Sequence, residues 1–106
     1  ELVETAAKEE IVTGPAKMRC FLEDEVREFD IEVMKVDQET AEINKGMMIR
    51  VTDEELLEKT GGIIQGMSGS PILQNGKLIG AVTHVFVMDS TKGYGIFAET
   101  MLEQLK

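Results

Sequence analysis

Apolar and polar residues alternate with a period of two along much of this chain, the spacing of antiparallel strands with one face buried. The plainest case is Val26 to Val36, where Phe29, Ile31, Val33 and Lys35 share one side and Asp30, Glu32 and Met34 the other. Upstream, Gly14-Pro15 is a turn signal, and Ala16 to Leu22 follows as a strand with Met18, Cys20 and Leu22 on one face. The polar run Glu23-Asp24-Glu25 connects the two as a hairpin. Asp37 to Lys45 is too polar for a core helix, Gly46 closes it as a turn, and Met47 to Val51 forms a further short strand.

The period changes at Thr52-Asp53-Glu54-Glu55. A threonine followed three residues later by glutamate is a capping box; Leu56-Leu57 supplies an apolar side and Gly61 a stop, which predicts a short helix over 53–59. Ile72 to Gln74 and Lys77 to Ile79 flank Asn75-Gly76, the most specific hairpin signal in the chain. Leu78 to Val87 continues as a long buried strand, interrupted in polarity only by Thr83 and His84. Asp89 to Gly93 is a turn, Tyr94 to Phe97 a last strand, and Ala98 to Lys106 a short C-terminal helix with Met101, Leu102 and Leu105 on one side. Glu1 to Glu10 lacks a sustained apolar stripe and is expected to be a disordered or helical lead-in. Many short strands and few helices predict an all-β antiparallel barrel or sandwich, built as one domain over 1–106.

Composition narrows the partners. Eleven basic against 20 acidic residues give a net charge of −9, which argues against nucleic acid and anionic lipid. No apolar run approaches the ~18 residues of a membrane span, so a membrane would be met only through segments outside this sequence. One cysteine, Cys20, can form neither an internal disulfide nor a metal site; no metal or cofactor is expected.

Chemistry concentrates between Gly62 and Pro71. Three glycines (Gly62, Gly66, Gly69), two serines (Ser68, Ser70) and a proline fall within ten residues. Glycine at that density marks backbone driven to positive φ or brought close to a ligand. A serine between Gly66 and Gly69 is a candidate nucleophile, and in such a turn the N–H groups of Gly66 and Ser68 can converge as an oxyanion hole. A Gly-Ser surface loop between two strands is the plainer alternative.

The order of signals resembles that of chymotrypsin-like peptidases, in which a G-x-S-G-x-P turn leads to a strand, a hairpin and a G-x-V strand lining the substrate cleft. Here Gly66-Met-Ser68-Gly69-Ser-Pro71 precedes Asn75-Gly76 and Gly80-Ala81-Val82-Thr83-His84. By that resemblance Ser68, not Ser70, is the nucleophile. The longer stretch T-G-G-I-I-Q-G-M-S-G-S-P-I-L-Q-N-G-K-L-I-G-A-V-T-H-V-F-V, then G-Y-G-I, with G-P-A, F-D-I-E-V and V-T-D-E-E-L-L-E-K-T upstream, resembles the SpoIVB peptidases of endospore formation over roughly Glu10 to Leu105.

The resemblance implies a trypsin-like barrel, a triad serine at Ser68 and an aspartate at Asp53, with the family's histidine N-terminal to this segment. An N-terminal half of the protein would then supply the base, and the isolated chain would be nearly inactive. It further implies an extracytoplasmic enzyme, secreted from the forespore into the intermembrane space, that cuts itself and a membrane-associated regulator. Asp53 also has a plain role as an acid at a helix start. His84, the only histidine, lies on the strand that would wall the cleft and is expected to contact substrate rather than act as base; Thr83 beside it is expected at the substrate-binding wall and also reads as hydrogen-bonding scaffold near the site. Ser70 reads as scaffold, and Met67 as pocket lining or packing. Two other classes remain: a catalytically silent module that binds peptide by strand addition, and a structural partner of an N-terminal half.

Overall fold

The computed structural model describes residues 4–22, 25–39, 41–63 and 67–104. Six strands follow in order: β1 Gly14–Leu22, β2 Glu25–Val36, β3 Met47–Val51, β4 Pro71–Gln74, β5 Lys77–Val85 and β6 Lys92–Phe97. Two helices join them, α1 Glu54–Thr60 between β3 and β4, and α2 Ala98–Gln104 after β6. The strands close into one antiparallel barrel in the order β1-β2-β3-β6-β5-β4, with β4 returning to β1 at Lys17 opposite Leu73 and Met18 opposite Ile72. Closure leaves no full-length free edge, which is how a small all-β domain avoids edge-to-edge association.

The alternation read from the sequence is what fills the barrel. Met18, Phe29, Ile31, Val33, Met47, Ile49, Ile72, Ile79 and Val82 are all buried. Each is worth about 1.5–3 kcal/mol relative to exposure. Cys20 is buried with them, and its burial pushes the thiol pKa up against the pull of Arg27. Asn75 and Gly76 both take positive φ, as the tight hairpin turn requires.

Several boundaries differ from the pattern, each for a local reason. Lys35 does not share the buried side with Phe29, Ile31 and Val33, because a bulge between Val33 and Lys35 shifts the register against β3 and leaves Lys35 exposed. The cap of α1 is Asp53 rather than Thr52: Thr52 and Asp53 both donate their N–H groups to the Asp30 carbonyl, which keeps the chain extended one residue longer. The Asp53 carboxylate then accepts from the Leu56 N–H, and Gly61 ends the helix in the left-handed conformation. Burial along β5 stops at Val82 and the strand at Val85; Val87 is 97% exposed. β6 starts at Lys92, before Tyr94. Ahead of the barrel, Thr5 bridges to Leu78 of β5, Ala6 and Ile11 are buried, and Lys8–Glu10 is one turn of 3₁₀ helix. The connection at Glu23 and Asp24 lies outside the described residues, as does Leu105.

Candidate active site

Ser68 stands at the crest of a four-residue turn. The Ser70 N–H donates to the Met67 carbonyl at 3.0 Å, and Gly69, with φ of 91°, takes the third position, where a type II turn needs positive φ. Met67 and Ser70 are buried on either side while Ser68 and Gly69 are exposed. The turn therefore sinks its two ends into the barrel and presents the Ser68 hydroxyl outward.

Two backbone hydrogen bonds fix the turn to β5: the Gly69 N–H donates to the Val82 carbonyl at 2.7 Å, and the Val82 N–H to the Ser70 carbonyl at 3.0 Å. These continue the β4–β5 ladder for one step after its last strand pair, Pro71 opposite Ala81. β4 is four residues long and its neighbours β1 and β5 are nine each. Among the described residues no strand pairs with Thr83 to Val85 on the β4 side, next to the turn.

The other side of that edge is tied to β6. His84 opposes Tyr94 and Val85 opposes Gly93, after a bulge that leaves Thr83 as the extra residue. The Thr83 hydroxyl lies 2.6 Å from the Asn44 carbonyl oxygen and 3.2 Å from that of Tyr94. Thr83 thus locks the short 3₁₀ turn at Ile43–Lys45 against the sheet. His84 is exposed. Among the described residues the Ser68 hydroxyl is hydrogen-bonded neither to His84 nor to Asp53.

Asp53 sits where β3 passes into α1, with both carboxylate oxygens occupied. One accepts from the Leu56 N–H at 3.2 Å, the other from the Asp30 N–H at 3.0 Å. Partial burial works to raise its pKa, but the backbone N–H groups of Asp30, Leu56 and Glu55 and the charge of Lys17 together hold it below the ordinary carboxylate value. It is a permanently ionised, fixed group at neutral pH. Gly66, expected as an oxyanion donor beside Ser68, lies outside the described residues.

One residue beside the site went unremarked in the sequence. Ile63 is 4% exposed, and its N–H donates to the Ser90 carbonyl at 2.7 Å, which ties Ile63 to the β5–β6 connection. An isolated loop isoleucine carries no signal of its own; the signal lay in Gly93 on β6, whose missing side chain makes the room. Among the described residues no cluster of histidine, cysteine, aspartate and glutamate is placed to hold a metal ion.

The family model of the SpoIVB peptidase S55 matches residues 1–102. No curated protein matches the sequence. Two solved structures from M. tuberculosis share the fold: the inactive form of a serine-to-alanine mutant of Rv3671c, at 15% identity, and the Rv3671c protease in its active form, at 17%. Each superposes with a TM-score of 0.67 over 97% of this chain, and the match covers 51% and 46% of the respective structures, so this chain spans about half their length.

Proposed function

Because the chain belongs to the SpoIVB peptidase S55 family and carries its serine-peptidase barrel, we propose that Ser68 is the nucleophile of an endopeptidase acting on protein substrates. The observation that carries the proposal is the exposed Ser68 turn bonded to β5 at Val82, next to the Thr83 to Val85 edge that no strand among the described residues pairs on that side. An extended peptide added to that edge would have its backbone held by strand pairing, with a carbonyl carbon within reach of Ser68.

In the proposed reaction the Ser68 hydroxyl oxygen attacks the scissile carbonyl and its proton passes to a histidine. The N–H groups of Ser68 and Gly66 stabilise the oxyanion. Collapse breaks the C–N bond, the histidine returns the proton to the leaving amine, and water hydrolyses the acyl-enzyme. His84 is not joined to Ser68, so the histidine is proposed to come from the remainder of the protein, with Asp53, ionised and fixed, orienting it. Thr83 and His84 would then bound the cleft. The family also supports a role in sporulation signalling outside the cytoplasm, by self-cleavage and by cleavage of a membrane-associated regulator.

A fluorophosphonate probe tests the core of this. Full-length protein should be labelled at Ser68 and the isolated 106-residue chain should not; labelling of the isolated chain would promote His84 to base. Absence of labelling in the full-length protein would favour the second reading, a barrel that binds peptide without cutting it. That alternative draws on one observation: both oxygens of Asp53 are already engaged by backbone N–H groups.

A further inference from the structure

Taking Ser68 as the nucleophile, we infer that Gln74 is a positioning residue for it: through Gln74 a strap formed by residues 4–12 holds the far end of β4, and the Ser68 turn keeps its reactive position only while that strap is docked.

β4 is four residues long, about 13 Å at the rise of a strand. Ser70 leads directly into Pro71 at one end, so the Ser68 turn moves with that end, and Gln74 closes the other. The neighbouring strands hold so short an element weakly. Its ladder to β5 is broken by a register shift between Ile72 and Leu73, and its ladder to β1 has two pairs, Lys17 with Leu73 and Met18 with Ile72. The Asn75-Gly76 hairpin therefore fixes Leu73 and Gln74 but reaches the Ser68 half of β4 only through a bulge. The Gln74 side chain supplies a further hold where no third backbone pair forms with β1. Its amide accepts from the Val12 N–H at 3.2 Å and donates to the carbonyls of Val12 at 2.8 Å and Pro15 at 3.2 Å.

Val12 ends a strap that is tied to β5, α2 and the β2–β3 connection. The Leu78 N–H donates to the Glu4 carbonyl at 2.8 Å and the Ala6 N–H to the Leu78 carbonyl at 2.9 Å, a single parallel bridge at the start of β5. Further along, the Lys8 N–H donates to the Glu99 carboxylate at 3.2 Å, the Gln38 amide donates to the Lys8 carbonyl at 3.0 Å, and Lys77 pairs with Glu10 at 2.7 Å. Ala6 and Ile11 of the strap are buried. One bridge and a set of side-chain contacts open at lower free energy than a closed barrel, so the strap has two arrangements, docked and lifted, with the barrel intact in both. When it lifts, Gln74 loses its partners and β4 can shift at its bulge. A displacement of about 1 Å at Ser68 is enough to slow attack about a hundredfold.

The test uses full-length protein and two readouts: the rate of fluorophosphonate labelling at Ser68, and hydrogen exchange at the Gly69 and Ser70 amides, which needs no catalysis. Gln74→Leu, measured below the onset of its unfolding, should label at least about tenfold more slowly than wild type and exchange those two amides faster, while the amides of β2 keep wild-type protection. Val12→Pro cuts the contact from the strap side, at an exposed residue whose predecessor Ile11 is already extended as a following proline requires, and it provides the test should Gln74→Leu fail to fold. The double variant should label no more slowly than the slower single one, because both changes cut the same contact. An unchanged labelling rate in the folded variants, or exchange that quickens equally in β2, would overturn the inference and leave the peptidase proposal standing. Failure of wild type to label would remove the peptidase proposal, and the exchange readout would then decide by itself whether Gln74 holds the turn.

Discussion

Asp53 and Asp30 exchange two hydrogen bonds: the Asp30 N–H donates to the Asp53 carboxylate at 3.0 Å, and the Asp53 N–H donates to the Asp30 carbonyl at 3.0 Å. This exchange ends the β2–β3 ladder and starts α1 in one step. It gives the one acidic residue expected at the site a structural task whether or not it also orients a histidine.

Replacing Asp53 separates the two tasks. Asp53→Ala removes the cap and the acceptor for Asp30 and should destabilise the fold by about 0.5–2 kcal/mol in chemical denaturation. Asp53→Asn keeps an acceptor oxygen and should recover part of that loss. If Asp53 also orients the histidine, Asp53→Asn should lower kcat in the full-length protein far more than its stability loss explains; equal recovery of stability and kcat would confine Asp53 to the helix cap.

The same carboxylate gives a pH signature. Its folded pKa lies below its unfolded value, so the stability it contributes is fully present above the unfolded pKa, near 4, and is lost as pH falls through the lower folded pKa. Wild type should therefore lose more stability than Asp53→Asn between about pH 5 and pH 2. Parallel acid-denaturation curves for the two would contradict this.

Ser68→Ala should abolish fluorophosphonate labelling and peptide cleavage in the full-length protein. Its midpoint in urea should stay within about 0.5 kcal/mol of wild type, because the side chain is exposed at the crest of its turn.

Gly69→Ala places a Cβ in open space but at a φ of 91°, so it strains only the backbone. The expected cost is roughly 1–2 kcal/mol, and relief of that strain by rotating the turn would move Ser68 and slow its labelling. An alanine variant with both properties intact would mean that the turn does not need positive φ.

Gln74 is buried at the end of β4, where its amide accepts from the Val12 N–H and donates to the carbonyls of Val12, at 2.8 Å, and Pro15, at 3.2 Å. It closes the gap where β1 and β4 diverge beyond Lys17 and Leu73. Gln74→Leu keeps the bulk and strands those backbone groups, and should cost about 1–3 kcal/mol. A change below 0.5 kcal/mol in thermal or urea unfolding would show that water reaches them.

The sequence by itself determined the strands, the Asn75-Gly76 hairpin, the short helices and the serine turn, because each follows from residues near one another in the chain. Period-two alternation selects which side chains of β2 face inward, and Gly69 beside Ser68 specifies the turn without reference to anything distant. Tertiary contact decided the rest. Lys35 leaves the core because β3 imposes a bulge at Met34, and the α1 cap moves from Thr52 to Asp53 because the Asp30 carbonyl, far back in the sequence, holds both N–H groups. Ile63 packs against Gly93, two residues distant in the sequence whose encounter exists only once the barrel has closed. Local preference fixes what each segment can be, and long-range packing fixes which neighbour it meets.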